Sequence, residues 1–378
     1  MSKALAITPV SSRADRAAFI DLPWAIYADD PYWVPPLKAE VKGLLDPDTN
    51  PWFGHGELQL FLARRGEEVV GRISAHVDHL WIERYPGQGH WGLFEAKDAE
   101  AGAALIAAAE DWLRGKGITS VVGPFSLSIW DEPGLLIDGF EEKPMVMMGH
   151  HSPAYEGYVE DAGYAKVKDL HTFALDIRID MIPVIDKLIQ LGEKNPRIRI
   201  RDVDKSKFDE EAAIILDILN DAWSDNWGYI PLTDAEIAYA GKKLKPIIVE
   251  DLVKIAEVDG EPVAFMLTIP DVNELIDDLD GRLLPFGWAK LLWRLRKPYT
   301  RRVRVPLMGV RKSHQKGRMA SQLAFMMIEF TRRVCVDKYG INFGEFGWVL
   351  EDNQGMMSIA QLPGAGTNHT YRVYEKAL

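Results

Sequence analysis

Eight consecutive residues, Arg311-Lys312-Ser313-His314-Gln315-Lys316-Gly317-Arg318, gather four fixed cations between two strongly patterned segments. Before them Val303, Val305, Leu307 and Val310 recur as on a half-buried strand; after them Met319, Leu323, Met326, Met327, Phe330 and Val334 recur at helical spacing. A helix start presents unpaired N–H groups and the positive end of the helix dipole. With Arg311, Lys312, Lys316 and Arg318 beside it, that start suits a pyrophosphate, which predicts a phosphorylated cofactor. The plainer alternative is a solvated basic turn.

Other groupings carry less chemistry. Adjacent histidines point apart, and His150-His151 has no third ligand at a standard spacing, so no metal is predicted. Asp131-Glu132 before Pro133-Gly134 reads as a turn, or as a seat for an amine if it lines a substrate cleft. Cys335 is the single cysteine and falls on the long helix, which favours a buried apolar role over redox chemistry. Trp223, Trp227 and Tyr229, with Tyr27, Tyr32 and Trp33, fit a substrate pocket or core anchoring equally well.

The elements that must hold these residues follow from length and repetition. At 378 residues, 47% of them hydrophobic, the chain can build two cores. A net charge of −12 argues against nucleic acid as a partner. The first residues, Met1 to Leu5, lack the apolar core of a signal peptide and no uncharged run is long enough to span a bilayer, so the expectation is a cytoplasmic chain without membrane insertion. Weak self-similarity at roughly 195 residues points to a duplicated domain. Tyr27 to Pro35 parallels Trp223 to Pro231. The hairpin Phe61 to Ala75 parallels Ile255 to Ile269, each with glycine in its tight turn (Gly66, Gly260). Gly163-Tyr164 followed by the strand Leu170 to Leu175 parallels Gly364-Ala365 followed by Tyr371 to Lys376.

The long helix of the first half is expected at Ala99 to Lys116 with Gly117 as its stop, and that of the second at Met319 to Lys338 with Gly340. These readings give an α+β chain of two domains, residues 1–177 and 201–378, joined by a connecting helix and linker over 178–200. Each domain is a mixed, mostly antiparallel sheet flanked by helices.

In that order of elements the chain resembles the GNAT acetyltransferase superfamily in tandem. The family holds acetyl-coenzyme A on a loop of pattern Gln/Arg-x-x-Gly-x-Gly/Ala, and Gln315-Lys316-Gly317-Arg318-Met319-Ala320 matches its ends, with the middle glycine displaced to Gly317. Gly344 to Asn353 is similar to the family's fifth strand and the asparagine opening its fourth helix, and Tyr371 to Tyr374 to its terminal strand. The tyrosine that many members carry seven residues after that asparagine is Ala360 here. In the first half the loop position reads Phe94-Glu95-Ala96-Lys97-Asp98-Ala99-Glu100, whose carboxylates would repel a pyrophosphate, so no cofactor is expected there.

The resemblance implies an acyl-coenzyme A-dependent N-acyltransferase acting on an amine, with acetyl-coenzyme A or another acyl-coenzyme A as donor. Backbone N–H groups at Met308, Gly309 and Val310, on a strand splaying from its neighbour, would hold the thioester oxygen. Glu345 is the first candidate for general base, against the bland reading that it faces solvent or pairs with an arginine; Tyr371 and Tyr374 are fallback acids, against ordinary strand packing. Asn353 is expected to cap its helix whatever else it does. Two rivals stand beside this reading. One is an N-acyl amino acid synthase-like enzyme that takes a long chain from acyl carrier protein. The other is a non-catalytic sensor of a coenzyme A ester. Leu283 to Lys297, apolar, aromatic and basic together, would cover an acyl tunnel, dock a carrier protein, touch an anionic membrane or, the preferred reading, pack as a crossover helix. A homodimer is left open.

Overall fold

The computed structural model describes residues 4–296, 300–361 and 364–378. Lys297 and the first three residues of the chain, on which parts of the readings above fall, lie outside them. The strands are β1 (Leu5–Pro9), β2 (Gly56–Arg65), β3 (Glu68–Asp78), β4 (Gln88–Ala96), β5 (Ser120–Gly123), β6 (Leu135–Asp138), β7 (Ala165–Asp176), β8 (Ile198–Asp202), β9 (Val253–Val258), β10 (Glu261–Pro270), β11 (Arg302–Val310), β12 (Phe343–Leu350) and β13 (Gly366–Ala377). Two compact units result. The first takes residues up to Leu170, with Leu279–Arg282 and His369–Leu378; the second takes His171–Asp278 and Leu283–Asn368.

In the first unit the strand order is β1-β2-β3-β4-β5-β13, with β6 also on β13. Neighbours are antiparallel except β4 and β5, which run parallel over Gln88↔Ser120 to His90↔Val122. The Ala99–Gly115 helix lays Ala101, Leu105, Ile106, Ala109 and Leu113 on the core that Ala75, Trp91 and Val121 line. It begins at Asp98, whose side chain accepts the Ala101 N–H, and Arg65 bridges Asp98 and Glu100. That helix start is therefore already neutralised by its own acidic cap. Past His90 the strand edge is also taken. The Phe125 N–H donates to Trp91 O at 2.8 Å, and the Phe125 carbonyl lies where a Cβ on Gly92 would be, 1.7 Å away.

The second unit repeats the plan with a different outcome. Its order is β12-β11-β10-β9-β8, all antiparallel except β11 with β12. The Arg318–Arg333 helix buries Leu323, Ala324 and Met327 against Ala256, Ala264, Met266 and Met308; each large apolar side chain contributes roughly 1.5–3 kcal/mol. The helix widens into a π-type turn over Val334–Tyr339 and stops at Gly340, whose φ of 68° needs no Cβ. The Pro183–Glu193 helix belongs to this unit as well, with Ile185 and Ile189 buried beside Phe325 and Met326.

Gly92→Ala is expected to destabilise the first unit by about 3 kcal/mol or more, because the clash is with main chain. Gly115→Ala, where no atom lies within 4 Å, should leave the thermal midpoint unchanged or raised. Equal midpoints for the two variants in a thermal melt would contradict the close approach of Phe125.

Candidate acyl donor site

The pairing of β11 with β12 runs for four residues, Arg302↔Phe343 to Val305↔Phe346, and stops. Pro306 comes next and has no N–H to continue a ladder. On its other side β11 bulges. Leu267 pairs with Leu307 and Ile269 with Arg304, so Val305 and Pro306 together face Thr268. From there β11 stays with β10, while β12 is drawn toward β7: a Cβ on Gly347 would sit 2.8 Å from His171 O. The two strands diverge for reasons written in Pro306, the bulge and Gly347.

Alternation decides what the opened edge offers. The Arg311 N–H donates to Val263 O at 2.8 Å, so Gly309 and Leu307 point their backbone groups toward β10, and Met308 and Val310 point theirs away from it. The Met308 carbonyl accepts from Trp223 Nε1 at 3.1 Å and the Val310 carbonyl from Gln315 Nε2 at 2.8 Å. The amides of Met308 and Val310 lie on that same opened edge, as an oxyanion donor must. Gly309 is required by crowding on the other face, where a Cβ would meet Phe265 at 3.0 Å and Ala222 at 3.1 Å.

The basic loop divides into two pairs. Arg311 donates to Pro262 O and pairs with Asp217; Lys312 pairs with Asp225 at 2.5 Å, and its amide donates to Asp221 at 2.7 Å. These two cations fasten the loop to the Phe208–Trp223 helix and the turn after it, and their charge is offset. Lys316 and Arg318 are exposed and have no ion pair or hydrogen-bond partner among the described residues. Between them Gly317 takes φ 86° as the N-cap without a side-chain cap, so the amides of Arg318, Met319 and Ala320 open onto solvent. The contrast with Asp98 in the first unit is direct.

The remaining sequence candidates fall elsewhere. Glu345 is fully buried on β12, in register with the equally buried Arg304, which donates to Gly347 O and stacks over Trp348. Asn353 caps the Gln354–Gln361 helix by accepting the Met356 N–H at 3.1 Å. Tyr371 and Tyr374 lie in the first unit, buried, with hydroxyls donating to Gly149 O at 2.9 Å and to Glu156 at 3.1 Å. Burial pushes the Cys335 thiol up to about 12, as suits a packing residue. Sequence reasoning passed over Pro306, and the tie of Trp223 to Met308. A proline inside a strand pattern was the available signal for the first.

Among the described residues no group of three metal-ligating side chains is present, and no helix is long and apolar enough to cross a membrane. The apolar residues expected to pack in the 283–297 segment stay exposed instead: Leu284 is 79% and Phe286 77% exposed, beside the Gly287–Leu295 helix.

No family model matches the chain. It is 46% identical to the bacterial ceramide synthase of Caulobacter vibrioides over 378 residues, 99% of this chain and 98% of that protein. It is 41% identical to protein YghO of Escherichia coli over 371 residues, 97% and 94% of the two. In fold it is similar to a tandem GNAT protein from the clavulanic acid biosynthesis pathway, with TM-score 0.57 and 14% identity over 99% of this chain and 98% of that one. A GCN5-related N-acetyltransferase from Sphaerobacter thermophilus gives TM-score 0.53 and 14% identity over 99% and 95%. These likenesses place the whole chain in the tandem GNAT fold.

Asp221→Ala removes the acceptor that holds the Lys312 amide, a charged hydrogen bond of roughly 1.5–3 kcal/mol. Hydrogen exchange across 311–317 should accelerate; unchanged protection would mean that Asp221 does not hold the loop.

Proposed function

The chain belongs to the family of the Caulobacter vibrioides bacterial ceramide synthase and Escherichia coli YghO, and on that basis we propose that it is an N-acyltransferase joining a long-chain acyl group to a long-chain amino alcohol. The amine attacks the thioester carbonyl, a C–N bond forms, the C–S bond breaks, and the proton lost by nitrogen goes to the departing thiolate. The observation that carries this reading is the opened β11 edge at Leu307–Val310 beside an uncapped helix start. Main-chain amides there would hold the thioester oxygen, and positioning would supply most of the acceleration.

Lys316 and Arg318 favour coenzyme A over a carrier-protein thioester as donor, since two unpaired cations at a helix start match the two phosphoryl groups of a pyrophosphate. An acetyl group is a weaker fit to this family than a long chain. Glu345 is proposed as general base acting through water, on a strand position in register with Arg304. A coenzyme A ester sensor is favoured by one observation: Ala360, buried with Phe173 and Val349, stands where a tyrosine acid is common.

Calorimetry with acetyl-, octanoyl- and palmitoyl-coenzyme A, followed by turnover with an amino alcohol, separates these readings. Lys316→Glu with Arg318→Glu should weaken binding at least tenfold, about 1.4 kcal/mol, and Glu345→Gln should lower the rate with little change in donor affinity. Unchanged donor affinity in the double variant removes the phosphate site; donor binding without turnover in the unaltered chain favours the sensor.

A further inference from the structure

The first unit holds a group of ionisable side chains that the donor site does not use. Residues 125–134 close on themselves: Phe125 bridges Pro133, the Ser126 N–H donates to Glu132 O at 3.2 Å, and the Gly134 N–H donates to Pro124 O at 2.9 Å. This loop fixes the backbone of Glu132. The residue is half-buried, and its carboxylate has no hydrogen bond or ion pair among the described residues. Beside it runs Gly149-His150-His151, tied down by the Tyr371 hydroxyl on Gly149 O.

His151 Nδ1 accepts the Leu136 N–H at 3.1 Å, so its proton sits on Nε2, which has no acceptor among the described residues. Glu132 Oε2 and His151 Nε2 lie 3.5 Å and 3.6 Å from the same point, the place a Cβ on Gly149 would occupy. The adjoining His150 is buried, with Nε2 on Asp30 at 2.8 Å and Nδ1 without a partner among the described residues. Arg72 is buried nearby against Glu95 with its Nε likewise unpartnered.

Burial and the Asp131 charge push the Glu132 carboxyl up to about 7, and burial holds the His151 imidazole down to about 3. The charge of the buried Arg72 pulls the Glu132 carboxyl back down in part, but no ion pair joins the two among the described residues. An acceptor-only carboxylate next to a neutral N–H donor is complementary to an ammonium next to a hydroxyl.

We propose that Glu132 and His151 form the seat for the polar end of the acceptor, a vicinal amino alcohol, with the ammonium on Glu132 and the neighbouring hydroxyl on the His151 Nε2–H. This deepens the function proposed above and rests on it for the identity of the acceptor, but its geometry lies wholly in the first unit. The Glu132 carboxylate then gains a direct ion-pair partner, and the imidazole distinguishes an amino alcohol from a plain amine.

The test is direct binding to the full chain by calorimetry, using an octyl-chain 2-amino-1,3-diol and octylamine, with Glu132→Gln and His151→Phe. Glu132→Gln should weaken both ligands at least tenfold. His151→Phe should weaken the aminodiol several-fold and leave octylamine within twofold, a selectivity that a merely structural role would not produce. Glu132→Gln also removes a carboxyl whose charged form its surroundings disfavour, so its thermal midpoint at neutral pH should not fall. Aminodiol affinity within twofold of the unaltered chain in Glu132→Gln, or equal loss of both ligands in His151→Phe, overturns the proposal. Because neither ligand is a thioester, failure of coenzyme A binding would sink the donor reading and leave this result standing.

Discussion

A parallel ladder that stops after four pairs is the constraint on which the second unit depends. Had β11 and β12 stayed paired beyond Val305↔Phe346, the amides of Met308 and Val310 would be spent on a neighbouring strand. Pro306 ends the ladder by lacking a donor, the bulge opposite Thr268 commits β11 to β10, and Gly347 lets β12 close on β7. Three backbone features, rather than any reactive side chain, create the edge. The basic loop then needs only to aim a helix start, and Arg311 and Lys312 do this by engaging Asp217, Asp221 and Asp225.

The first unit keeps the same bulge, since Arg72 pairs with Glu95 and Ser74 with Gly92, and the same short parallel pair. It nonetheless closes the opening with its own main chain at Phe125 and caps its helix start with Asp98. On the readings proposed above, one plan has diverged into two chemistries. In the second unit, backbone donors and cations are left available for an anionic ligand. In the first, the proposed seat of Glu132 and the His151 imidazole would take a cationic one.

Much of this was legible in the sequence. The paired hairpins, the long helices with their glycine stops, the strand before the basic loop and the asparagine cap are local patterns, and local patterns survive folding. The acidic stretch Phe94 to Glu100 also told correctly which helix start would be neutralised, because Asp98 precedes the helix directly. What stayed hidden depends on register. Nothing near Glu345 in the chain announces Arg304 opposite it, and the cations of the loop look equivalent until Arg311 and Lys312 meet acids on a helix some ninety positions earlier, at separations of 94 and 91 residues. The closing strand is likewise a matter of space and not of order: Tyr371 and Tyr374 follow the second repeat in sequence but fall in the first unit. The apolar 283–297 segment read as packed because hydrophobic spacing reports an apolar face without reporting what covers it.

Hydrogen exchange with and without palmitoyl-coenzyme A tests the central claim most directly. Bound donor should slow exchange at Met308 and Val310 and in the first turn of the Arg318–Arg333 helix, while residues 91–101 of the first unit exchange as before. Protection confined to residues 91–101, or none at Met308 and Val310 under saturating donor, would contradict it.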